Sequence, residues 1–556
     1  MARNMRVATM AALMPSMALL ARPAPVVPAE TSLPAAVCNC ARAEERDQRD
    51  QWCKTHLLDA QAKLPFSFVY GDQPSDKLLP EWPRKAETAK LDAARTQHTI
   101  TWTDPKTGLE VRCIAVDYAD YPAMEWTVYF KNTGNANTPI LKDIQGLDAT
   151  FHRGAKGEFV LHGNKGDWCV PQSYEPFRHT LEPNTTRRFA PSGGRPTNGP
   201  DGWPYYNLRM PGGGLILAVG WCGQWASSFA RDDKNGVRIT AGQALTNLSL
   251  RPGEEVRAPL IAMLFWQGDE TVRAQNLWRR WFMAHNIPRI DGRPPAAMAQ
   301  MQLCRGFNDD AIVMQEEANK FAKAGIEIDL YWRDAGWYPC GGNWANTGTW
   351  EVDRNRFPDG FKPIADWIHA RGKKFIVWFE PERVGDKNSW LAKNHPEWLF
   401  EGTLLNLGHP EAWAWTVARI DGILRENGID HYRQDFNMDP LGCWRGSDAP
   451  DRQGMAENLH VQGYLAFWDE LRRRHPGMLI DSCASGGRRN DLETLRRSVP
   501  LLRSDFQPAN AWEAQHGQTY GISSWIPTTA LECTRSRSTP PAVSTCLPSA
   551  SADSMT

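Results

Sequence analysis

A glycine, a short apolar run and a carboxylate recur in that order three times in the second half of the chain. The three repeats are 325–334, 372–380 and 428–435, and each ends in Asp or Glu. Helix-compatible segments lie before each of them, at 310–324, 362–370 and 411–426. Alternating helices and strands are typical of a (β/α)8 TIM barrel, in which functional groups gather at the C-terminal strand ends. The pattern therefore predicts an α/β TIM barrel over 295–530, with its site at that edge.

The residues before this barrel predict a β domain. Short alternating runs are separated by Gly, Pro and Asn, for example at 99–103, 110–116 and 124–130. This spacing predicts a large antiparallel β-sandwich over 63–269. A charged stretch predicts a helical entry arm at 41–62, and an amphipathic pattern with Trp278 and Trp281 predicts a linker helix over 270–294.

The N-terminus has the features of a secretory signal peptide. Arg3 and Arg6 precede an uncharged apolar region at 7–20, and Ala-rich candidate cleavage sites follow it. We therefore expect residues 1–30 to be a leader and the protein to be secreted or periplasmic. No later segment approaches the 18 or more apolar residues that would predict a membrane span. The formal net charge of −1 gives no electrostatic case for a nucleic-acid or membrane partner.

Three polar residues stand at alternate positions around the end of the third repeat: Arg433, Asp435 and Asn437. On a strand, this period of two places all three side chains on one face. A second carboxylate, Asp505, ends the run 501–505, which also predicts a strand. Two carboxylates at neighbouring strand ends suit glycosidic bond cleavage, in which one attacks the anomeric carbon and the other protonates the leaving oxygen. Taken alone, the Arg-x-Asp-x-Asn motif favours a salt bridge inside the barrel over a ligand site.

Five motifs occur in an order that resembles a known enzyme family. They are D-A-G-W at 334–337, V-W-F-E-P-E at 377–382, R-Q-D-F-N at 433–437, S-C-A-S-G-G-R-R at 482–489 and R-S-D-F-Q at 503–507. Together they resemble the bacterial, melibiase-like α-galactosidases of glycoside hydrolase family 36. The resemblance extends from about Pro65 to about Thr529.

The resemblance implies a retaining mechanism that removes terminal α-linked galactose, with Asp435 as the nucleophile and Asp505 as the acid/base. It implies substrate contacts from Asp334, Trp378, Arg433, Asn437, Cys483 and Gly486. It implies a carbohydrate substrate, no cofactor and no metal, and it is compatible with a homo-oligomer. The commonest family pattern has Lys at position 433, so Arg433 leaves the sugar preference open. Glu380 and Glu382 are expected to brace a strand end.

Other functions remain open from the sequence. Within the same fold, an α-N-acetylgalactosaminidase or an α-galactosyl transferase would use the same carboxylates. A non-catalytic carbohydrate-binding protein is a third alternative, because the end of the chain looks altered. A metal hydrolase is disfavoured, since the chain lacks HxH and HxxxH spacings.

Two segments carry further expectations. The Gly/Pro-rich segment 191–206 contains Trp203, Tyr205 and Tyr206 and predicts either a surface loop or a wall that reaches the sugar site. From 531 to 556 the chain is rich in Ser, Thr, Pro and Arg without hydrophobic periodicity, which predicts a disordered tail. Because the family continues with regular strands at this point, the barrel is expected to be incomplete.

Overall fold

The computed structural model describes the chain from Cys40 to Leu531 and one later strand. The described residues are 40–531 apart from 155, 297 and 509, and Ser544–Pro548; side chains are described up to residue 527. The predicted leader at 1–30 and most of the predicted tail lie outside the described residues. Within the described part, no helix is both long and apolar enough to cross a membrane.

The first element lies within the predicted entry arm. Helix α1 (Ala43–Cys53) continues into a π-helix, Lys54–Leu58. Glu45 fixes the start of α1, because its carboxylate accepts the backbone N–H of Arg42 at 2.8 Å. The same buried carboxylate forms an ion pair with Arg273 at 2.7 Å, and this pair ties the arm to the linker region.

Antiparallel strands occupy the chain from 67 to 267. In chain order they are β1 (Ser67–Tyr70), β2 (Gln73–Pro74), β3 (Arg84–Lys90), β4 (Arg95–Thr103), β5 (Leu109–Tyr118), β6 (Ala123–Asn132), β7 (Leu141–Gln145), β8 (Leu147–His152), β9 (Val160–Asn164), β10 (Pro176–Thr180), β11 (Thr186–Phe189), β12 (Tyr205–Met210), β13 (Gly213–Gly220), β14 (Trp225–Arg231), β15 (Gly236–Gln243), β16 (Asn247–Leu248), β17 (Glu255–Arg257) and β18 (Leu260–Gln267). A short helix, α2 (Ser75–Leu78), and a 3-10 turn, Leu79–Glu81, follow β2.

Two of the antiparallel sheets pack face to face. The larger sheet has the order β10-β9-β12-β13-β18-β6-β5-β4-β3, with β17 also paired to β6, and the smaller has the order β11-β14-β15-β8. Tyr206 of the larger sheet contacts Phe229 and Phe189 of the smaller one, with ring centroids 5.0 and 5.2 Å apart. Strand β5 alternates buried and half-buried residues, as expected for a sheet with one face in the core. The chain therefore has the antiparallel β-sandwich that the sequence predicts.

Helix α3 (Thr271–Trp281) and the π-helix Phe282–Asn286 connect this sandwich to the parallel strands. Trp278 and Trp281 are buried, and Trp278 Nε1 donates to the backbone oxygen of Trp525 at 3.1 Å. The buried face of this segment thus contacts the chain near Trp525, late in the predicted barrel region.

Short strands and helices follow one another after residue 299. The strands are β19 (Ala299–Gln302), β20 (Leu330–Arg333), β21 (Lys374–Phe379), β22 (Leu399–Phe400), β23 (Leu404–Leu405), β24 (His431–Gln434), β25 (Arg452–Gln453), β26 (Ile480–Ser482), β27 (Thr528–Leu531) and β28 (Ser544–Pro548). The helices are α4 (Ala311–Lys323), α5 (Lys362–His369), α6 (Trp390–Asn394), α7 (Pro410–Glu426), α8 (Leu441–Ser447), α9 (Met455–Arg474), α10 (Leu492–Leu495) and α11 (Trp512–Ser523), with a 3-10 turn at Pro396–Trp398.

Local chemistry sets the helix starts and the strand faces. Asp310 caps α4 by accepting the N–H groups of Ile312 and Val313, both at 3.0 Å. Pro410 starts α7, where the missing N–H of proline costs nothing. Strand β21 is buried on both faces, because Phe375, Val377 and Phe379 pack in the main core while Ile376 packs in a second cluster.

The parallel strands form about half of a barrel. Their sheet has the order β26-β24-β21-β20-β19-β28-β27, and the first four pairings are parallel. Strand β25 instead joins the β domain by pairing with β16. Within the described residues the sheet is an open path, so the chain combines an antiparallel β-sandwich with an incomplete TIM barrel, as predicted.

Two expectations about strands differ from the structure. The predicted tail, 531–556, contains strand β28, which pairs antiparallel with β19 and β27. Strand β19 is the edge of the parallel sheet, and its free backbone groups give β28 a partner. Residues 501–505 form no regular strand. Pro500, which has no N–H to donate, follows Val499, whose isolated bridge to Asp481 ends the pairing with β26.

Candidate active site

Asp435 follows directly on β24, and N–H groups surround its carboxylate. Its own N–H donates to Phe379 O at 2.8 Å, so the pairing with β21 continues one residue past the strand end. The four donors to the carboxylate are Phe436 N (2.7 Å) and Ser485 N (2.8 Å) on Oδ1, and Trp378 Nε1 (3.1 Å) and Asn437 Nδ2 (2.8 Å) on Oδ2. These donors hold the buried carboxylate in one orientation.

The surroundings of Asp435 favour the ionised form. Burial alone raises the pKa of this carboxyl, but the charge of Arg433 and the N–H donors outweigh burial and leave the pKa below its ordinary value. Asp435 is therefore suited to act as a nucleophile at neutral pH.

Arg433 lies on the same strand, but its direct ion pair is with a residue that the sequence analysis did not single out. Arg433 Nη1 donates to Asp481, its register partner on the neighbouring strand β26. The guanidinium also lies 4.6 Å from the ring centroid of Trp332. Asp481 accepts the N–H of Leu501 at 2.8 Å with its other oxygen. Arg433 is thus fixed by Asp481 and acts on Asp435 through its charge.

Asp505 reaches the same site from an irregular segment. Ser504 forms an isolated antiparallel bridge with Gly486, and this bridge places Asp505 beside the 482–489 motif. Gly486 has a φ of +86°, and a Cβ there would lie 2.5 Å from Asp505 N. The glycine is required for this close approach and for its left-handed backbone. Gly486 is a predicted substrate contact, and the structure places it against the backbone of Asp505.

The pKa of Asp505 is raised above its ordinary value, whereas that of Asp435 is lowered. The residue is exposed at the rim of the site, yet crowding by protein atoms and the negative charge of Asp435 raise its pKa to about 7. A carboxyl that is half protonated near neutral pH can both donate and accept a proton.

Asp334 is the third carboxyl of the group. It follows β20, and its oxygens accept Ala335 N at 2.8 Å and Gln302 Nε2 at 3.0 Å. Burial raises its pKa, Arg433 lowers it and Asp435 raises it, and the net direction is upward. Gln302 was not predicted from the sequence, because only the pairing of β19 with β20 brings it beside Asp334.

The remaining predicted contacts lie around Asp435. Trp378 is buried among aromatic rings. Its indole N–H contacts the site through the hydrogen bond to Asp435. Asn437 Oδ1 accepts the Ser485 hydroxyl at 2.7 Å. Cys483 is buried, and its Sγ accepts Gly486 N at 3.3 Å. These contacts connect the residues after β24 to those after β26.

The β domain contributes to the site through residues that the sequence analysis did not predict. Arg195 Nη1 donates to Ser485 Oγ at 3.0 Å, and its Nη2 donates to Asp439 at 2.8 Å. Asp167 accepts Gly487 N and Ser504 Oγ, both at 2.8 Å. These are long-range contacts that no local pattern could indicate.

The aromatic residues of 191–206 do not form a wall of the site. Trp203, Tyr205 and Tyr206 are each at most 1% exposed and belong to the core. Tyr205 Oη donates to the backbone oxygen of Asn490 at 2.8 Å. The polar half of this segment reaches the site instead, through Arg195.

Glu380 and Glu382 lie in buried ion pairs, as expected for bracing residues. Glu380 pairs with Arg383, while Glu382 accepts from Arg489 Nη1 at 2.7 Å and contacts His460 Nε2 at 3.0 Å. Over the part of the chain that the structure describes, no group of three His, Cys, Asp or Glu has an arrangement suited to a metal ion.

Residues 300–542 match the family model of melibiase. The α-galactosidase Mel36A of Lactobacillus acidophilus is 26% identical over 307 residues, which cover 52% of this chain and 41% of that protein. The α-galactosidase 2 of Pediococcus pentosaceus is 23% identical over 481 residues, or 84% of this chain and 59% of that protein. The chain therefore spans less than two thirds of the length of these relatives.

Solved structures show the same fold. The α-galactosidase of Lactobacillus brevis superimposes with a TM-score of 0.68 at 17% identity, over 84% of this chain and 65% of that one. The family 36 α-galactosidase AgaA of Geobacillus stearothermophilus gives a TM-score of 0.67 at 18% identity, over 84% and 67%. Variants of AgaA have been solved in complex with stachyose, raffinose and 1-deoxygalactonojirimycin.

Proposed function

We propose, from its relation to the α-galactosidases of glycoside hydrolase family 36, that this chain is a retaining glycoside hydrolase that releases terminal α-linked galactose. The observation that carries the proposal is the pair Asp435 and Asp505. The pKa of one carboxyl lies below its ordinary value, and that of the other is raised to about 7. Neighbouring carboxyls with separated pKa values are the usual basis for assigning a nucleophile and an acid/base.

In the first step, Asp435 attacks the anomeric carbon of the bound sugar. The bond from this carbon to the leaving oxygen breaks, and Asp505 gives its proton to that oxygen. The product is a glycosyl ester on Asp435, and Asp505 becomes ionised. The N–H donors around Asp435 hold its carboxylate in place for the attack.

In the second step, Asp505 accepts a proton from water as the water oxygen attacks the same carbon. The ester bond breaks, and Asp435 leaves as a carboxylate. Two inversions give net retention, which requires carboxyl groups about 5 Å apart. Asp435 is a neutral ester in the intermediate, so its negative charge no longer acts on Asp505. The pKa of Asp505 therefore falls at this stage, which suits its change from acid to base.

Sugar recognition is assigned to polar groups beside the two carboxyls. Asp334 can accept hydroxyl protons, and Asn437 can donate and accept. A buried carboxylate that is left unpaired by a misplaced hydroxyl penalises the wrong epimer. Galactose-containing oligosaccharides of the kind found bound to AgaA variants are the proposed substrates. Export from the cell remains part of the proposal, and N-terminal sequencing of the mature protein would test it.

Azide rescue distinguishes the two carboxyl roles. With an aryl α-galactoside, Asp435→Ala should lose activity on the order of 10⁴–10⁶-fold, and azide should restore turnover and yield β-galactosyl azide. Asp505→Ala should instead yield α-galactosyl azide, because azide replaces water in the second step. The matched control is Asp430→Asn, at the other end of β24, where the carboxylate pairs with Lys374.

The anomeric configuration of the azide product, read by NMR, decides the assignment. An α-azide from Asp435→Ala would reverse the two roles. Undiminished hydrolysis by either alanine variant would reject the proposed mechanism, and a preference for aryl α-N-acetylgalactosaminide over the galactoside would reject the proposed sugar.

A further inference from the structure

Asp167 is a buried carboxylate of the β domain that lies against the barrel motif carrying Gly486. It follows β9 and forms an isolated bridge with Asn198. Its side chain is fully buried. A Cβ on Gly486 would lie 2.9 Å from Asp167 Oδ2, so the two parts of the chain are in close contact here.

The two oxygens of Asp167 connect two separate barrel segments. Oδ2 accepts the N–H of Gly487, 320 residues away in sequence, at 2.8 Å. Oδ1 accepts the hydroxyl of Ser504 at 2.8 Å and the N–H of Cys169 at 3.0 Å. Gly487 follows the glycine that bridges to Ser504, and Ser504 immediately precedes Asp505. The carboxylate therefore fastens both sides of the bridge that positions Asp505.

Other contacts make the placement of Asp167 rigid. Asp167 N donates to Thr197 O at 2.8 Å, and Tyr174 Oη donates to Arg503 O at 2.5 Å on the same irregular segment. Thr197 Oγ1 donates to Gly487 O at 2.6 Å. The segment that carries Asp505 lacks regular strand pairing, so these contacts take the place of a strand ladder.

We infer that Asp167 is a positioning residue for the acid/base of the proposed reaction: it holds the Gly486–Ser504 bridge and thereby fixes the Asp505 carboxyl beside the scissile oxygen. This inference rests on the proposed function, since it assigns a role relative to Asp505. It makes a residue of the β domain part of the proton-transfer machinery.

Asp167 also contributes to the electrostatics of Asp505. The ionisable groups that act on Asp505 are Asp435, Arg433, Asp167, Arg488, Cys169 and Cys483. Burial, Asp435 and Asp167 raise the pKa of Asp505, while Arg433 and Arg488 lower it. Removing the charge of Asp167 must therefore lower the pKa of Asp505, so that Asp505 loses its proton at a lower pH.

The test is Asp167→Asn in the full chain. The alkaline limb of the kcat/KM profile should move to lower pH, while the acidic limb, set by Asp435, should stay. Loss of acid catalysis should affect poor leaving groups most, so kcat/KM for raffinose should fall about 10–100-fold more than that for a 2,4-dinitrophenyl galactoside, which needs little protonation. Asp167→Glu, which retains the charge, should keep the alkaline limb near its wild-type position.

A matched control separates this role from general stability. Asp104 is also a buried carboxylate of the β domain and accepts a backbone N–H and a threonine hydroxyl, at 3.0 and 2.6 Å, but in the β4–β5 turn. Asp104→Asn should leave the pH profile and the ratio between the two substrates unchanged. An Asp167→Asn profile that coincides with the wild type, with equal losses on both substrates, would overturn the inference.

Two further measurements keep the inference testable. If Asp167→Asn does not fold, Ser504→Ala removes only one of the two barrel contacts, and an equal loss on both substrates would overturn the inference. The pKa of Asp505, measured by carboxyl ¹³C NMR, should fall in Asp167→Asn whether or not α-galactosides are the substrate. An inactive wild type would then reject the proposed function, whereas an unchanged Asp505 pKa would reject the role of Asp167.

Discussion

Glu457 gives a stability prediction that depends on one buried carboxyl. It lies near the start of α9 and is 3% exposed. Trp221 Nε1 and Gln224 N, both from the β domain, donate to the same oxygen at 2.7 and 2.8 Å. Burial raises its pKa to about 8; the two donors and Arg445 oppose this effect, and Asp448 adds to it. Replacing Glu457 with Gln keeps the shape of the protonated acid and removes the titration.

The sign of the effect follows from proton binding. Below pH 4.5, the ordinary value, the carboxyl is protonated in both the folded and unfolded states. Between 4.5 and about 8 the folded state holds a proton that the unfolded state has lost, so the free energy of unfolding falls as pH rises. Over this pH range the free energy of unfolding falls by about 5 kcal/mol in total. This value is an upper bound, because water entry or local rearrangement would relieve part of it.

The expected change in melting temperature follows from the size of the protein. For roughly 500 residues the unfolding entropy is about 1 kcal/mol/K, so about 5 kcal/mol corresponds to at most about 5 °C. The assay is calorimetry of the wild type and Glu457→Gln at one scan rate from pH 5 to pH 9. The Tm difference, variant minus wild type, should rise by up to this amount over that range, because other titrating groups cancel.

Glu493→Gln is the matched control, since Glu493 also joins the barrel part to the β domain. It is buried but paired with Arg257 at 2.6 Å and Arg497 at 2.7 Å; burial raises its pKa, and these charges hold it well below the ordinary value. Its stabilisation is present above pH 4.5 and is lost only as pH falls towards the folded-state pKa. This variant should be destabilised by a constant amount from pH 5 to pH 9. A flat Tm difference for Glu457→Gln would show that Glu457 is ionised in the folded protein and would refute the reasoning.

Two further predictions concern the site. Arg433→Leu should move the acidic limb of the kcat/KM profile to higher pH, because the nucleophile loses its cation, and should destabilise the fold by about 3–5 kcal/mol, since Asp481 remains buried without its partner; an acidic limb at its wild-type pH would reject the assignment. Gly486→Ala should reduce kcat/KM on the order of 10²-fold by displacing Asp505, and the left-handed backbone adds about 1–2 kcal/mol of strain. Gly477→Ala, where a Cβ would meet nothing within 4 Å, should behave as the wild type, and equal kinetics for the two alanine variants would contradict the steric argument.

Local periodicity was sufficient to locate most of the parallel strands. Strands β20, β21 and β24 end next to Asp334, Glu380 and Asp435, as the repeats predict. Each prediction rested on an apolar run of a few residues preceded by a glycine, and such information is contained within one segment of chain. The assignment of Asp435 and Asp334 to one edge followed from the parallel arrangement alone.

The residues that were missed depend on contacts between distant segments. The pair Arg433–Asp481 forms only because β26 lies next to β24 in register, and Asp167 meets Gly487 across 320 residues. A signal for Asp481 was present, since it is a charge directly after the apolar run 478–480. Trp203 could not be assigned from composition, because a tryptophan in a Gly/Pro-rich segment can serve either a core or a sugar site.

The open sheet does not remove any of the carboxyls that the proposed reaction needs. Asp334 and Asp435 follow β20 and β24, and Asp505 is held by the bridge to Gly486 rather than by a regular strand. The β domain supplies Asp167 and Arg195 at this side of the sheet. The position of Asp505 therefore depends on the contact between the two parts of the chain. A substitution at this contact should impair proton transfer before it impairs the orientation of Asp435, whose four N–H donors all come from the barrel strands and their loops.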